Sequence, residues 1–328
     1  MLQRRRLLHL FALGTFPASL GLGTSAWAQT TYPHKNVRWI VPYPAGGGSD
    51  FLARTISQGW AAHIPHSIVV DNKPGGNTAI AAADVARATP DGHTLMSADN
   101  GTNVFNPMLY KTLSYRVEDL APVTLMGRLP MILVVTPSLK ADNLDQFLDM
   151  VRTNTNSTPF ASPGAGSPHH MAMELLRAEA RLNMTHIPYR GAAPALVDVA
   201  SGQVPAMMVD LAAGIAFLKD DKVRPLAVAH TQRLPQLPDV PTFAELGLPT
   251  VEAAALVGMV TTVGTPKDVI DALHRHIVHA IQQPQVRQKM IDFGVEPVGN
   301  TPEEYAALLL KERARWQKVV HALNISLD

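Results

Sequence analysis

One phrase, written twice, constrains this chain more than any other feature: an apolar strand, a Pro/Gly loop of small residues, then a helix. The first copy runs Val37-Arg38-Trp39-Ile40-Val41-Pro42-Tyr43-Pro44-Ala45-Gly46-Gly47-Gly48-Ser49-Asp50 and enters a helical pattern at Phe51. The second runs Pro159-Phe160-Ala161-Ser162-Pro163-Gly164-Ala165-Gly166-Ser167-Pro168-His169-His170 and enters Met171-Ala172-Met173-Glu174-Leu175-Leu176. A glycine-rich turn that opens a helix leaves backbone N–H groups unpaired and pointing outward, and the helix dipole adds to their pull on an anion. Two such turns, one in each half of a chain, suggest a clamp.

Around these turns, short Val/Ile-rich runs alternate with longer helical patterns, the grammar of an α/β protein with largely parallel sheets. Strands are expected at Val37–Val41, Ser67–Val70, Thr94–Ser97, Ile132–Thr136, Ala206–Val209 and Pro225–Ala229. Helices are expected at Phe51–His63, Ala79–Ala88, Leu144–Thr153, Lys267–Phe293 and Pro302–Leu323. Phe147, Leu148 and Val151 fall on one helical face, as a helix laid on a sheet requires. Two long apolar passages, Ala121–Pro137 and Pro249–Pro266, lie where one half gives way to the other. A chain that crosses twice leaves its first domain and later returns to it. The expected division is 29–129 with 254–328 as one domain and 130–253 as the other.

The N-terminus has its own grammar. Arg4-Arg5-Arg6 precedes an apolar stretch from Leu7 to Leu22, and Ala26-Trp27-Ala28 has the small-x-small form of a signal-peptidase site, so residues 1–28 read as a leader cut before Gln29. The arginines also fit a loose twin-arginine signal, which leaves Sec and Tat routes both open. Removing residues 1–28 takes away three arginines and no acids, so the formal charge of +1 becomes −2 over 300 residues. That balance, with no basic stripe interleaved with aromatics, argues against a nucleic-acid partner. With no cysteine there is no disulfide and no thiolate site, so stability must come from the core.

Neither glycine loop contains Lys or Arg, so an anion held there is met by dipoles and hydrogen bonds, not by a salt bridge. The competing reading of each loop is a tight connection with Ser49 or Asp50 as an N-cap and no ligand. Asp50 fits a cap better than a contact to a carboxylate, which its charge would repel. Asp210 ends a strand and either caps the next helix or faces the cleft. Tyr43 offers a ring and a hydroxyl. Asn100 and Thr102 follow the third strand, at the carboxyl edge where ligands of open α/β sheets gather. Arg190 is the nearest cation, in a turn where arginines are mostly solvated. His169 and His170 diverge at a helix start, and His274, His276 and His279 read as a solvated helical face, so no metal is expected. Gly47→Asp and Gly166→Asp are each expected to abolish anion capture and leave the fold intact. A serine hydrolase would draw on Ser49, Ser167, His169 and Asp210, but no G-x-S-x-G elbow surrounds either serine.

An ordered set of segments goes further. Pro42-Tyr43-Pro44-Ala45-Gly46-Gly47-Gly48-Ser49-Asp50, Asn72-Lys73-Pro74-Gly75-Gly76, Thr89-Pro90-Asp91-Gly92-His93-Thr94-Leu95, Asn106-Pro107-Met108-Leu109-Tyr110, His186-Ile187-Pro188-Tyr189-Arg190-Gly191, Leu237-Pro238-Asp239-Val240-Pro241-Thr242, Gly264-Thr265-Pro266 and Thr301-Pro302-Glu303-Glu304 occur here in that order. The chain thereby resembles the Bug-type, TctC-like periplasmic solute-binding proteins of tripartite tricarboxylate transporters, over nearly all of its mature length. The resemblance implies a two-lobed type II (Venus-flytrap) α/β fold with two crossover segments at the hinge, a periplasmic monomer without cofactor or catalysis, and delivery of a small carboxylate to the permease subunits; the alternative is a receptor lobe whose closed form is read by a sensor protein instead of a permease. It implies ligand contacts at Tyr43, Ala45, Gly46, Gly47, Gly48 and Ser49 on one lobe and Ser162, Gly164, Ala165, Gly166 and Ser167 on the other, with an acid near the cleft at Asp210. Asn100, Thr102 and His169 complete the candidate set from the residues themselves. Departures bear on specificity: Leu256 stands where a Trp is common, with a reshaped hinge-side wall as the expected result, and Pro168-His169 replace small or polar residues. Citrate-like, amino, aliphatic and aromatic acids all remain open, with Tyr43 leaning slightly toward an aromatic or uncharged body.

Overall fold

In chain order the computed structural model, which describes residues 32–327, runs β1 (Val37–Val41), α1 (Gly48–Ala61), β2 (Ile68–Asn72), α2 (Ala79–Ala86), β3 (Thr94–Ala98), a π-helical turn at Gly101–Phe105, α3 (Asn106–Leu109) and β4 (Leu120–Val135). It continues with α4 (Leu144–Thr153), β5 (Thr158–Ser162), α5 (Pro168–Glu179), β6 (Met184–Pro188), α6 (Ala192–Ala200), β7 (Ala206–Asp210), α7 (Leu211–Lys219) and β8 (Arg224–Val228). It closes with β9 (Ala254–Thr262), α8 (Lys267–Gln282), α9 (Pro284–Asp292), β10 (Glu296–Pro297) and α10 (Pro302–Leu323). The leader expected at 1–28 lies outside the described residues.

The strands form two sheets that share β4. In the first the order is β2-β1-β3-β9-β4, with β10 also on β4; in the second, β4 lies between β7 and β8, and β5 and β6 follow β7. Residues Leu120 to Pro130 pair with β9, and from Met131, opposite Asp210, the same strand pairs with β7 and β8. The two apolar passages of the sequence are therefore this one long strand and β9, laid antiparallel. They are nearly continuous in buried residues, as strands covered on both faces must be. Pro122 sits at a register shift in β4, where a residue without an N–H interrupts the ladder. One cluster of the apolar core runs through this strand, from Trp39 of β1 and Leu52 of α1 on one side to Phe147 of α4 and Met173 of α5 on the other.

Parallel pairing holds within each half, β1 with β2 and β3, and β5 with β6 and β7. Every pair involving β4 or β9 is antiparallel, so the sheets are mixed and not largely parallel. Trp39 is fully buried and its indole N–H donates to Ser97 Oγ at 2.8 Å, which satisfies its polar edge. Arg38 in the same strand reaches the surface beside Asp71 and Asp84. The single helix expected over Lys267–Phe293 is two, because Pro284 cannot continue α8 and instead occupies the first position of α9. His274 and His276 are half-buried, not solvated, and the His276 ring stacks on Trp60 at 5.6 Å. β5 is the strand that opens the second copy of the phrase, while β6, not among the expected strands, is largely uncovered and so lacks an apolar run.

Candidate functional site

Both glycine loops leave the carboxyl ends of parallel strands, and their polar groups are disposed very differently. After β1, Gly46 turns with φ +90° and Gly47 becomes the N-cap residue of α1 without any side-chain cap. Neither Ser49 nor Asp50 caps the helix, contrary to the loop-only reading. Asp50 lies inside the first turn and reaches back, accepting from Gly46 N at 3.0 Å, Arg54 Nε at 3.0 Å and Asn72 Nδ2 at 2.9 Å. Burial alone would raise its pKa, but the bonds from Arg54, Asn72 and Gly46 outweigh that and hold it below the usual carboxylate value. Asn72 also donates to Tyr43 O. The loop is thus braced from behind, and the first-turn N–H groups around Gly48 and Ser49 have no helical partner to claim them. Ser49 Oγ is buried with no hydrogen-bond partner among the described residues.

The second loop spends its polar groups on itself. Ser167 caps α5 by accepting from His170 N, and Gly166 N donates to His170 Nδ1 at 3.0 Å. Ser162 Oγ accepts from Gly164 N and lies 2.6 Å from His186 Nε2. Behind the loop the rings of Phe160, His186 and His170 stack, the two imidazoles 3.8 Å apart. Burial, and then the nearby His170, push His186 down to about 3. A folded-state pKa below the unfolded value near 6.5 means stability that is complete above pH 6.5 and is lost as pH falls toward 3. Thermal melts should therefore show a falling midpoint between pH 6.5 and 5, before most carboxylates titrate. His186→Gln should flatten that fall, leaving the smaller share of His93 and His276, which burial also lowers. An unchanged slope in the variant would refute the assignment.

Between the sheets these elements close on a cavity of about 50 Å³. One wall carries Tyr43, Ala45, Gly47, Gly48 and Ser49 with Asp99 from the end of β3; the other carries His169, Asp210 and the start of α6 at Gly191–Pro194. Among the described residues no Lys or Arg lines it. Tyr43 Oη donates to Asp99 Oδ2 at 2.7 Å, and burial raises the Asp99 pKa. Asp210 does both things expected of it separately: its Oδ1 caps α7 by accepting from Ala213 N at 2.9 Å, and its Oδ2 lies 2.9 Å from His169 Nε2. A wider recess of about 530 Å³ adjoins the cavity through Tyr43, Pro44, Pro163 and Gly191, and Gly164, Ala165 and the exposed Arg190 line that outer space.

Of the candidate residues, then, Tyr43, Ala45, Gly47, Gly48, Ser49, His169 and Asp210 meet at the inner cavity. Gly164 and Ala165 stand at the outer recess, while Gly46, Asn100, Thr102, Ser162, Gly166 and Ser167 line neither. Asn100 Oδ1 instead accepts from Leu256 N at 2.6 Å, and the Thr102 hydroxyl donates to Thr78 Oγ1, tying the turn after β3 to its neighbours. Leu256 does not face the cavity; Ala255 and Val257 do, as strand alternation requires, so its replacement of a Trp acts on the hinge crevice beside Arg128 and Trp316. Asp99 and the Gly191-Ala192-Ala193-Pro194 turn are cavity residues that sequence reasoning missed. The latter repeats the strand, glycine, helix phrase in a short form after β6.

A family model described as "Tripartite tricarboxylate transporter family receptor" matches residues 52–325, and the chain belongs to that family of periplasmic solute-binding proteins. The "UPF0065 protein in tcbD-tcbE intergenic region" of Pseudomonas sp. (strain P51) is 36% identical over 97% of this chain and 94% of its own length. The solved structure of R. palustris Rpa4515 with adipate superposes with a TM-score of 0.87 at 31% identity, over 90% of this chain and 99% of that one. MatC (Rpa3494) from Rhodopseudomonas palustris with bound malate gives 0.83 at 31% identity, over 88% and 100%. The fold is that of the two-lobed α/β periplasmic binding proteins. No helix among the described residues is long and apolar enough to cross a membrane.

Proposed function

We propose that this protein captures a small carboxylate between two lobes, 29–129 with 254–328 and 130–253, and delivers it in the periplasm to the permease subunits of a tripartite tricarboxylate transporter. The carboxylate meets the first turn of α1, and no bond is made or broken. The single observation that carries the reading is the inner cavity: an uncapped helix start and a buried hydroxyl without a partner, at Gly47–Ser49, in a wall free of Lys and Arg. Dipoles and neutral donors bind an anion there and release it without breaking an ion pair. The solved relatives that hold adipate and malate support the same ligand class. Binding without turnover is supported by Ser49, which makes no hydrogen bond to His169, the contact a nucleophile and its base require. The change of pairing partner in β4 near Pro130 and Met131, one residue from the proposed boundary, supports that division.

A panel of aliphatic, hydroxy, amino and aromatic mono- and dicarboxylates tests this by thermal shift on the protein from Gln29 onward. A ligand at a hundred times its Kd adds about 2.7 kcal/mol, enough for a clear rise in melting temperature that grows with concentration. A flat panel, or product formation, would overturn the proposal. Gly47→Asp should abolish every such shift. A Cβ there meets nothing within 4 Å, and aspartate is a favoured N-cap, so the fold should hold or gain stability while a fixed carboxylate takes the anion's place. The matching expectation for Gly166→Asp changes: with φ +75° and a Cβ that would come 2.5 Å from Asn77 Nδ2, that variant strains the fold itself.

A further inference from the structure

Resting on that carboxylate reading, we infer that the cavity also reads a hydrogen-bond donor on the ligand, a hydroxyl or ammonium group near the captured carboxylate, through Nδ1 of His169. The His169 side chain lines the cavity and the residue is only 9% exposed. Its Nε2 faces Asp210 Oδ2 at 2.9 Å, and a carboxylate only accepts, so in the neutral ring Nε2 holds the proton and Nδ1 presents a lone pair. That Nδ1 is buried and has no hydrogen-bond partner among the described residues. The pair does not relax by turning away, because Asp210 is pinned as the cap of α7.

A buried acceptor without a partner is costly, and a ligand that brings an N–H or O–H to it removes the cost. The surrounding charge has the same sense. Asp99 and Asp210 both line this cavity, and the Asp99 oxygens already accept from Tyr43 Oη and Thr102 N. On its own helix, His170 and Glu174 face each other and the stacked rings behind the second loop, away from this role. A second bare carboxylate placed beside His169 would meet two acids; a donor, and above all a cationic one, meets acceptors. The carboxylate end is served at the opposite wall by the α1 first turn and Ser49.

The test is calorimetry with two matched sets, succinate, malate and aspartate, then glutarate, 2-hydroxyglutarate and glutamate. In at least one set the hydroxy or amino acid should bind about tenfold tighter than the unsubstituted diacid, with no net proton exchanged with buffer. The order of hydroxy and amino acid tells the two donors apart. His169→Leu should bring the members of a set within about twofold of one another. Asp210→Asn keeps a capping oxygen for Ala213 N but turns an amide donor toward Nε2; the proton then moves to Nδ1, and the preference for the amino acid should be lost, since an ammonium has no lone pair to accept with, while the hydroxy acid, whose oxygen accepts, keeps its affinity. Equal affinities within both sets, or uptake of close to one proton per ligand as an imidazolium grips a carboxylate, would overturn the inference and leave the carboxylate reading standing. Failure of all six to bind, with aromatic and monocarboxylic acids also silent, would overturn both.

Discussion

Gly48→Ala should weaken carboxylate binding at least a hundredfold while the melting temperature of the ligand-free protein moves by no more than a few degrees. Gly48 opens α1 with no positive φ, so alanine meets no backbone objection there. Its Cβ, however, would stand 2.6 Å from Asp210 Oδ1 and 2.6 Å from Leu129 Cδ2. Leu129 offers the far end of a flexible side chain. Asp210 does not yield, because it is held from both sides by Ala213 N and His169. The methyl group therefore acts as a stop between the α1 turn and the end of β7, whose approach confines the ligand in the proposed function. A hundredfold loss corresponds to about 2.7 kcal/mol. Calorimetry and thermal melts on the same preparation check both halves of the expectation; unchanged affinity would show that the two walls need not meet this closely.

Gly258→Ala should act on stability alone and strongly. Gly258 lies in β9, and a Cβ there would fall 2.2 Å from both Cζ and Oη of Tyr305 and 2.6 Å from its Cε1. Tyr305 is fully buried, its hydroxyl accepts from Asn103 Nδ2, and its helix is anchored by a capping box between Thr301 and Glu304. A rigid ring so placed has nowhere to go, so we expect a loss of about 3 kcal/mol. Urea melts should show the midpoint falling with m unchanged. Tyr305→Phe in the same background should rescue only a small part, since two of the three clashes are with ring carbons. A Gly258→Ala protein as stable as the parent would mean that β9 and α10 part readily enough to admit a methyl group.

Much of the scaffold is legible in the residues, and the reason is local. β1, α4 and α10 begin and end where periodicity, Pro and capping residues place them, because those signals act within a few residues of the element. The break at Pro284 was available from the same rules. The mixed sense of the sheets was not, because a strand's direction depends on partners far along the chain: β4 takes its pairing from β9, and β9 from β3. Leu256 shows the same limit at one residue. Its neighbours in sequence face the inner cavity, and only the register of β9 decides that it does not.

The candidate site divides along the same line. By itself the sequence determined two glycine-rich turns that open helices, the absence of any Lys or Arg in them, and a family resemblance that the family match bears out. Tertiary structure alone decided which turn keeps its donors free. The two loops look alike as text, yet His186 and His170 take up the polar groups of Ser162 and Gly166, while the first loop is braced from behind by Asp50 and leaves Ser49 unpaired. Tyr43 and Asp99 are 56 residues apart, and His169 and Asp210 are 41 apart. Hydrogen bonds of that reach carry no periodic trace in a chain, since they are set by where whole strands and helices come to rest.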